Sequence, residues 1–206
     1  MAIVLRCNVL QLAAPEPGIR MDPAEVGRRF EETAKMTAVL TSGQVELSVA
    51  KGPARLTIPD LKTARWGIRT ELRRAILRSP DFTAWRHDPA FGVIHACYVD
   101  HLAAEPDPEG GGLTFSEGFC DFPFLYVAET PGNWVAPPTT TQNGEPRWLV
   151  LLHELGHALL GSHHVKQTGN LMSEKKKALH MTPEQHAKFV RVAGRIAATG
   201  RRGLWL

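Results

Sequence analysis

One stretch constrains this chain more than any other: Trp148-Leu149-Val150-Leu151-Leu152-His153-Glu154-Leu155-Gly156-His157-Ala158-Leu159-Leu160. It is apolar except where it carries His153, Glu154 and His157. Pro146 stands where a helix begins and Gly161 where one ends, so the stretch reads as a buried helix. A helix turns about 100° and rises about 1.5 Å per residue, so residues four apart lie about 40° from one another and roughly 6 Å along the axis. His153 and His157 can therefore aim ring nitrogens at one point, with Glu154 beside the first. In a plain core helix these groups would have to find hydrogen bonds among aliphatic chains, and burying them unpartnered costs several kcal/mol. A shared metal ion supplies the partners, and this reading is preferred to one in which the histidines satisfy core hydrogen bonds.

The spacing is that of H-E-x-x-H, in which two histidines hold zinc and the glutamate acts as general base without being a ligand. Zinc lowers the pKa of a bound water to near neutrality, and a neighbouring carboxylate can take its proton as it attacks a carbonyl. A catalytic zinc needs a third protein ligand, and His163 and His164 follow Gly161 closely. Gly169-Asn170-Leu171-Met172-Ser173 comes next. On these residues the chain resembles the metzincins, whose signature is H-E-x-x-H-x-x-G-x-x-H followed by a methionine-containing turn. The pattern departs by one residue: Leu160 occupies the signature's glycine position and the glycine is Gly161. A strict count from His157 makes His163 the third ligand. Keeping the G-x-x-H turn intact makes it His164, with one residue absorbed late in the helix as a bulge, and this is preferred because the turn depends on its glycine. The resemblance then implies zinc held by His153, His157 and His164, Glu154 as the catalytic base, and Met172 as apolar flooring below the metal. His163 falls to the surface or to the ligands' surroundings.

Rival assignments remain for other residues. A gluzincin-type site would take Glu174 or Glu184 as third ligand, but Glu174 precedes Lys175-Lys176-Lys177 and Glu184 follows Thr182-Pro183 as first-turn helix chemistry. Cys7 could cap zinc as a thiolate in a latent form, yet Ile3-Val4-Leu5 and Val9-Leu10 around it read as a strand, so a buried structural cysteine is preferred. The three cysteines make no disulfide framework, and Cys97 with Cys120 is the one pairing worth carrying forward. Asp107, Glu109 and Asp121 could hold a structural calcium ion, but three acids in a turn-rich region are more often solvated.

A chain of 206 residues, 43% hydrophobic, can bury one core, and we expect a single catalytic domain over 1–206. A net charge of +3 gives no reason to expect nucleic acid as a partner. No apolar run is long enough to span a membrane, and no secretory signal is visible; the expected location is cytoplasmic, with leaderless export the alternative. Strands are expected over 2–10, 45–50, 91–99 and 122–128, and helices over 22–40, 69–78 and 183–197. The helix at 22–40 should bury Val26, Phe30, Ala34 and Thr37, and that at 69–78 Leu72, Ile76 and Leu77. Residues 102–112 and 131–146 read as loops, with specificity expected in loops around 79–90 and 129–146 and in the wall near the Met-turn.

The order of these elements also resembles a small metzincin catalytic domain. That implies an α+β fold: a twisted, mostly parallel sheet with an antiparallel edge strand, packed on the zinc helix, the Met-turn and a C-terminal helix. Gly110 to Ser116 is similar to the edge strand that lies above the cleft in that family. The implied activity is cleavage of a protein or peptide by a zinc endopeptidase. The alternative is a catalytically silent or latent zinc-binding interaction module, against which the presence of Glu154 counts.

Overall fold

The computed structural model describes residues 1–13, 22–57, 64–65, 69–86, 92–99, 102–106, 113–116, 118–128, 144–161, 163–173 and 177–199. In chain order the elements are β1 (Ile3–Ala13), α1 (Pro23–Leu40), β2 (Val45–Thr57), β3 (Ala64–Arg65), α2 (Arg69–Arg78), α3 (Pro80–Arg86), β4 (Ile94–Val99), β5 (Leu102–Pro106), β6 (Leu113–Ser116), β7 (Gly118–Asp121), β8 (Phe124–Ala128), α4 (Trp148–Leu160) and α5 (Pro183–Thr199). Five strands form the main sheet in the order β2-β1-β4-β8-β7. All neighbours in it run parallel except β7, which pairs antiparallel with β8 at the edge. β3, β5 and β6 make a separate small sheet. This is the α+β architecture expected: a mostly parallel sheet with an antiparallel edge.

The central strands are buried on both faces, as parallel strands with helices on either side must be. Side chains alternate along a strand. Leu5, Cys7 and Val9 of β1, Ile94, Ala96 and Tyr98 of β4, and Leu125 and Val127 of β8 join one core with α1, α4 and α5. Leu10, Leu12, Cys97, Val99, Phe124 and Tyr126 turn the other way and join a second core with Leu72 and Ile76 of α2 and Phe82 of α3. The molecule is thus layered as helices, sheet, helices, and α4 lies on the first face, against α1, α5, β7 and β8.

Local chemistry fixes the helix ends. Asp22 accepts a hydrogen bond from the Ala24 amide at 2.8 Å and Pro23 opens α1, the pairing expected at a helix start. Val26, Phe30, Thr33 and Thr37 of α1 are buried, whereas Ala34 is only half-buried. Among the described residues no helix is long and apolar enough to cross a membrane.

Several expectations need correction. Residues 102–106 form a strand, β5, not a loop, because pairing with β6 supplies backbone partners that a Pro-rich and Gly-rich composition conceals. The antiparallel edge strand of the main sheet is Gly118–Asp121; of Gly110 to Ser116, residues 113–116 are an edge of the small sheet, antiparallel to β5, and 110–112 lie outside the described residues. Leu77 is 37% exposed, since α2 turns only one narrow face inward. Residues 80–86 are helical rather than a loop, and 129–143 lie outside the described residues. The strand expected over 45–50 runs on to Thr57. Neither Cys97 nor Cys120 is in a disulfide. β8 lies between their strands. Strands are spaced about 4.8 Å apart, so two spacings exceed the Cα separation of roughly 4.4–6.8 Å that a disulfide spans.

Candidate metal centre

Burial of α4 between two helices and the sheet sets the stage. His153 is 3% exposed and Glu154 4%, while His157 is half-buried toward the open side. The helix ends where Gly161 takes φ +113°, a left-handed value that glycine tolerates and a residue with a Cβ does not. Its amide donates to the His157 carbonyl at 3.1 Å. The ammonium of Lys188, on α5, caps the Leu160 carbonyl at 2.6 Å. A short closure follows: the Val165 amide donates to the Met172 carbonyl at 2.9 Å, and Val165 bridges Ser173 in parallel fashion. That closure returns the chain just after His164 to the base of α4.

The result is a cluster of His153, His157 and His164, with their candidate ligand atoms all within 4.8 Å of one another. His153 Nε2 lies 3.1 Å from His157 Nε2 and 3.2 Å from His164 Nε2. Nitrogens at roughly 2.0–2.1 Å from a tetrahedral zinc stand about 3.3 Å apart, so the imidazole donors and the two separations from His153 fit that ion. His163 is exposed and outside the cluster. Glu184 is exposed in the first turn of α5, where a hydrogen bond from its own backbone amide and then one from the Thr182 side chain hold its carboxyl below the usual range. Glu174 lies outside the described residues. Cys7 is buried in β1, its thiol donating to the Leu5 carbonyl at 3.6 Å, and burial pushes that thiol up to about 12, away from the thiolate a metal needs. Asp121 pairs with Arg73 at 3.6 Å, and Asp107 and Glu109 lie outside the described residues.

Two carbonyls orient the rings. His153 Nδ1 lies 2.6 Å from the Leu171 carbonyl and His157 Nδ1 3.2 Å from that of Gly161. A carbonyl can only accept, so each Nδ1 carries the proton and donates it. Each Nε2 then keeps the lone pair that faces the cluster. Burial lowers the His153 pKa to about 3; nearby His157, Lys177 and His164 add to this, while the Leu171 carbonyl opposes it. His153 is therefore neutral, as a ligand must be, throughout the physiological range.

The surroundings contain residues to which no sequence motif drew attention. Gly118 of β7 sits against α4 so closely that a Cβ there would lie 3.0 Å from Glu154 Oε1 and 2.9 Å from Val150 Cγ1. Gly156 makes room for Met172, whose sulfur would be 2.5 Å from a Cβ at that position. Met172 itself is buried below the helix. Asn170 and Gln185 hydrogen-bond at 2.7 Å. The one legible signal was Thr182-Pro183-Glu184-Gln185, a T-x-x-Q capping box, in which the Gln185 amide donates to Thr182 Oγ1 at 3.2 Å and the Thr182 amide to Gln185 Oε1 at 2.9 Å.

The sheet order and the helix laid across it define a mixed α+β fold, with a mostly parallel sheet and an antiparallel edge strand, that carries a cluster of three histidines. Among solved structures the chain is similar to archaemetzincin from Methanopyrus kandleri, with a TM-score of 0.51 and 16% identity, covering 91% of this chain and 94% of that one. It is also similar to a chain in a structure described as a chaperone–substrate complex, with a TM-score of 0.54 and 11% identity, covering 96% of this chain but 35% of that one. No protein-family profile matches the sequence, and no curated protein matches it.

Proposed function

We propose that this chain is a zinc-dependent peptidase of metzincin type, acting as one catalytic domain on protein or peptide substrates. The observation that carries the reading is the set of three Nε2 atoms, two of them turned by carbonyls on Nδ1; Glu154 follows the first ligand in the chain and is buried, with its carboxylate against Gly118. The fold likeness to an archaemetzincin and the motif resemblance over residues 153–172 support it independently. When bound, zinc supplies Lewis acidity toward water and the scissile carbonyl. His153, His157 and His164 hold the metal. Glu154 takes a proton from the attacking water and passes it to the leaving amine. Its burial against Gly118 limits the positions its carboxylate can take. β7 ends the main sheet beside Glu154, and its outer edge suits an extended peptide joining by backbone hydrogen bonds.

The test measures zinc content and cleavage of a mixed peptide library for wild type and Glu154→Ala. Both should bind about one zinc per chain. Wild type alone should cleave, and a chelator should abolish the cleavage. Zinc binding without cleavage by either protein would favour a silent or latent zinc-binding module. Absence of zinc from both would remove the metal reading.

A further inference from the structure

We infer that Gln185, on the last helix, is a positioning residue for the metal site, acting through Asn170 on the ring of His153. The inference rests on the zinc reading above. The Leu171 carbonyl that receives His153 Nδ1–H belongs to the same planar peptide as the Met172 amide. Whatever fixes that amide fixes the carbonyl. The Met172 amide donates to Asn170 Oδ1 at 2.9 Å. Asn170 is fully buried, and its own amide donates to Gln185 Oε1 at 2.7 Å, with Gln185 Nε2 returning a longer bond of 3.4 Å to Asn170 Oδ1. The Leu171 amide is held on the other side by the His180 carbonyl at 2.7 Å. Gln185 is fixed in turn as the last member of the capping box with Thr182. A continuous chain of hydrogen bonds thus runs from the first turn of α5 to the imidazole of His153. Its far end lies 32 residues in sequence from that ligand (185 − 153).

The chemistry separates this role from plain capping. A carbonyl that bonds a metal-ligating imidazole affects metal affinity by roughly 10–100-fold. Gln185 reaches the Leu171 carbonyl only through Asn170 and the Met172 amide, so its removal should act at the low end of that range, whereas loss of a helix cap alone lowers stability and leaves the ligands as they were. Gln185→Leu removes both the acceptor and the donor at nearly constant size. Gln185→Glu keeps Oε1-type acceptance from Asn170 and Thr182 and exchanges the 3.4 Å bond for a carboxylate oxygen facing Asn170 Oδ1.

The measurement is zinc affinity by chelator competition for wild type, Gln185→Leu and Gln185→Glu, with nitrogen NMR of the histidine side chains of the zinc-free proteins. Gln185→Leu should bind zinc about 10-fold or more weakly, Gln185→Glu within about threefold of wild type. Only Gln185→Leu should lose the single Nδ1–H tautomer of His153. If Gln185→Leu fails to fold, Gln185→Ala, which leaves room for water beside Asn170, is held to the same thresholds. Wild-type affinity in the apolar or alanine variant overturns the positioning role and leaves the zinc site standing. Failure of the wild type to bind zinc overturns both.

Discussion

At the scale of single residues, the choice between His163 and His164 comes down to how a helix ends. With Gly161 in a left-handed conformation, the chain turns back one residue later than a strict H-E-x-x-H-x-x-G-x-x-H count allows, and His164 meets His153 Nε2 at 3.2 Å. His164→Ala should therefore weaken zinc binding by more than the roughly 100-fold ceiling for changes beyond the ligands themselves. His163→Ala should stay within about twofold of wild type, since His163 lies outside the cluster. Chelator competition on the two variants decides it; the reverse ranking would make the strict count correct. That His153, His157 and His164 gather was readable beforehand, because spacing on a helix and the need for a glycine turn are both local. The orienting carbonyls of Leu171 and Gly161 were not, since any residue type supplies a carbonyl and composition does not mark which one a ring will find.

Elements raise a different question, namely what lies across from α4. The helix was legible from its apolar length and the flanking Pro146 and Gly161, as were the strand of Cys7 and α1 with its Asp22 cap. Strand pairing was not legible. The antiparallel edge falls at Gly118–Asp121 and not at the glycine run preceding Leu113, because an edge strand is defined by the neighbour it pairs with and not by its own pattern. Gly118 shows what that placement does. A Cβ there would stand 2.8 Å from the Tyr126 carbonyl and 2.9 Å from Val150 Cγ1, so β7 and α4 approach at a distance only glycine permits. Gly118→Ala should push β7 and the Glu154 carboxylate apart at a stability cost of about 1–3 kcal/mol. Cleavage should drop at least 10-fold, while zinc affinity changes by less than about threefold, because the contact is to Glu154 and not to a ligand. Equal losses of zinc and cleavage, or none, would count against this division between β7 and the histidines.

For the whole molecule, the two cores on either side of one sheet make acid sensitivity a shared property of both faces. His95 of β4 lies in the second core, edge-on to Phe82 with ring centroids 5.4 Å apart and 4.7 Å from the Phe124 ring. Asn8 Oδ1 accepts from the Gly92 amide at 2.9 Å, which turns its Nδ2 toward His95 Nδ1, also at 2.9 Å. Nδ1 is then an acceptor, and a proton there would set donor against donor. Burial lowers the His95 pKa from 6.5 to about 4. Above pH 6.5 the ring is neutral folded or unfolded and contributes no slope. Below it the unfolded chain binds a proton that the fold refuses, so stability falls as pH drops from about 6.5 to about 4, by roughly 3 kcal/mol across that window. His153, lowered to about 3 in the first core, acts with the same sign in zinc-free protein. Denaturant midpoints of chelated wild type and His95→Gln between pH 8 and pH 5 isolate the contribution of His95, because that of His153 is common to both. Wild type should lose stability below about pH 6.5 more steeply than His95→Gln, whose amide takes up no proton. Parallel curves would mean that the second core tolerates a charged imidazole, and acid sensitivity would then belong to the metal-site face alone.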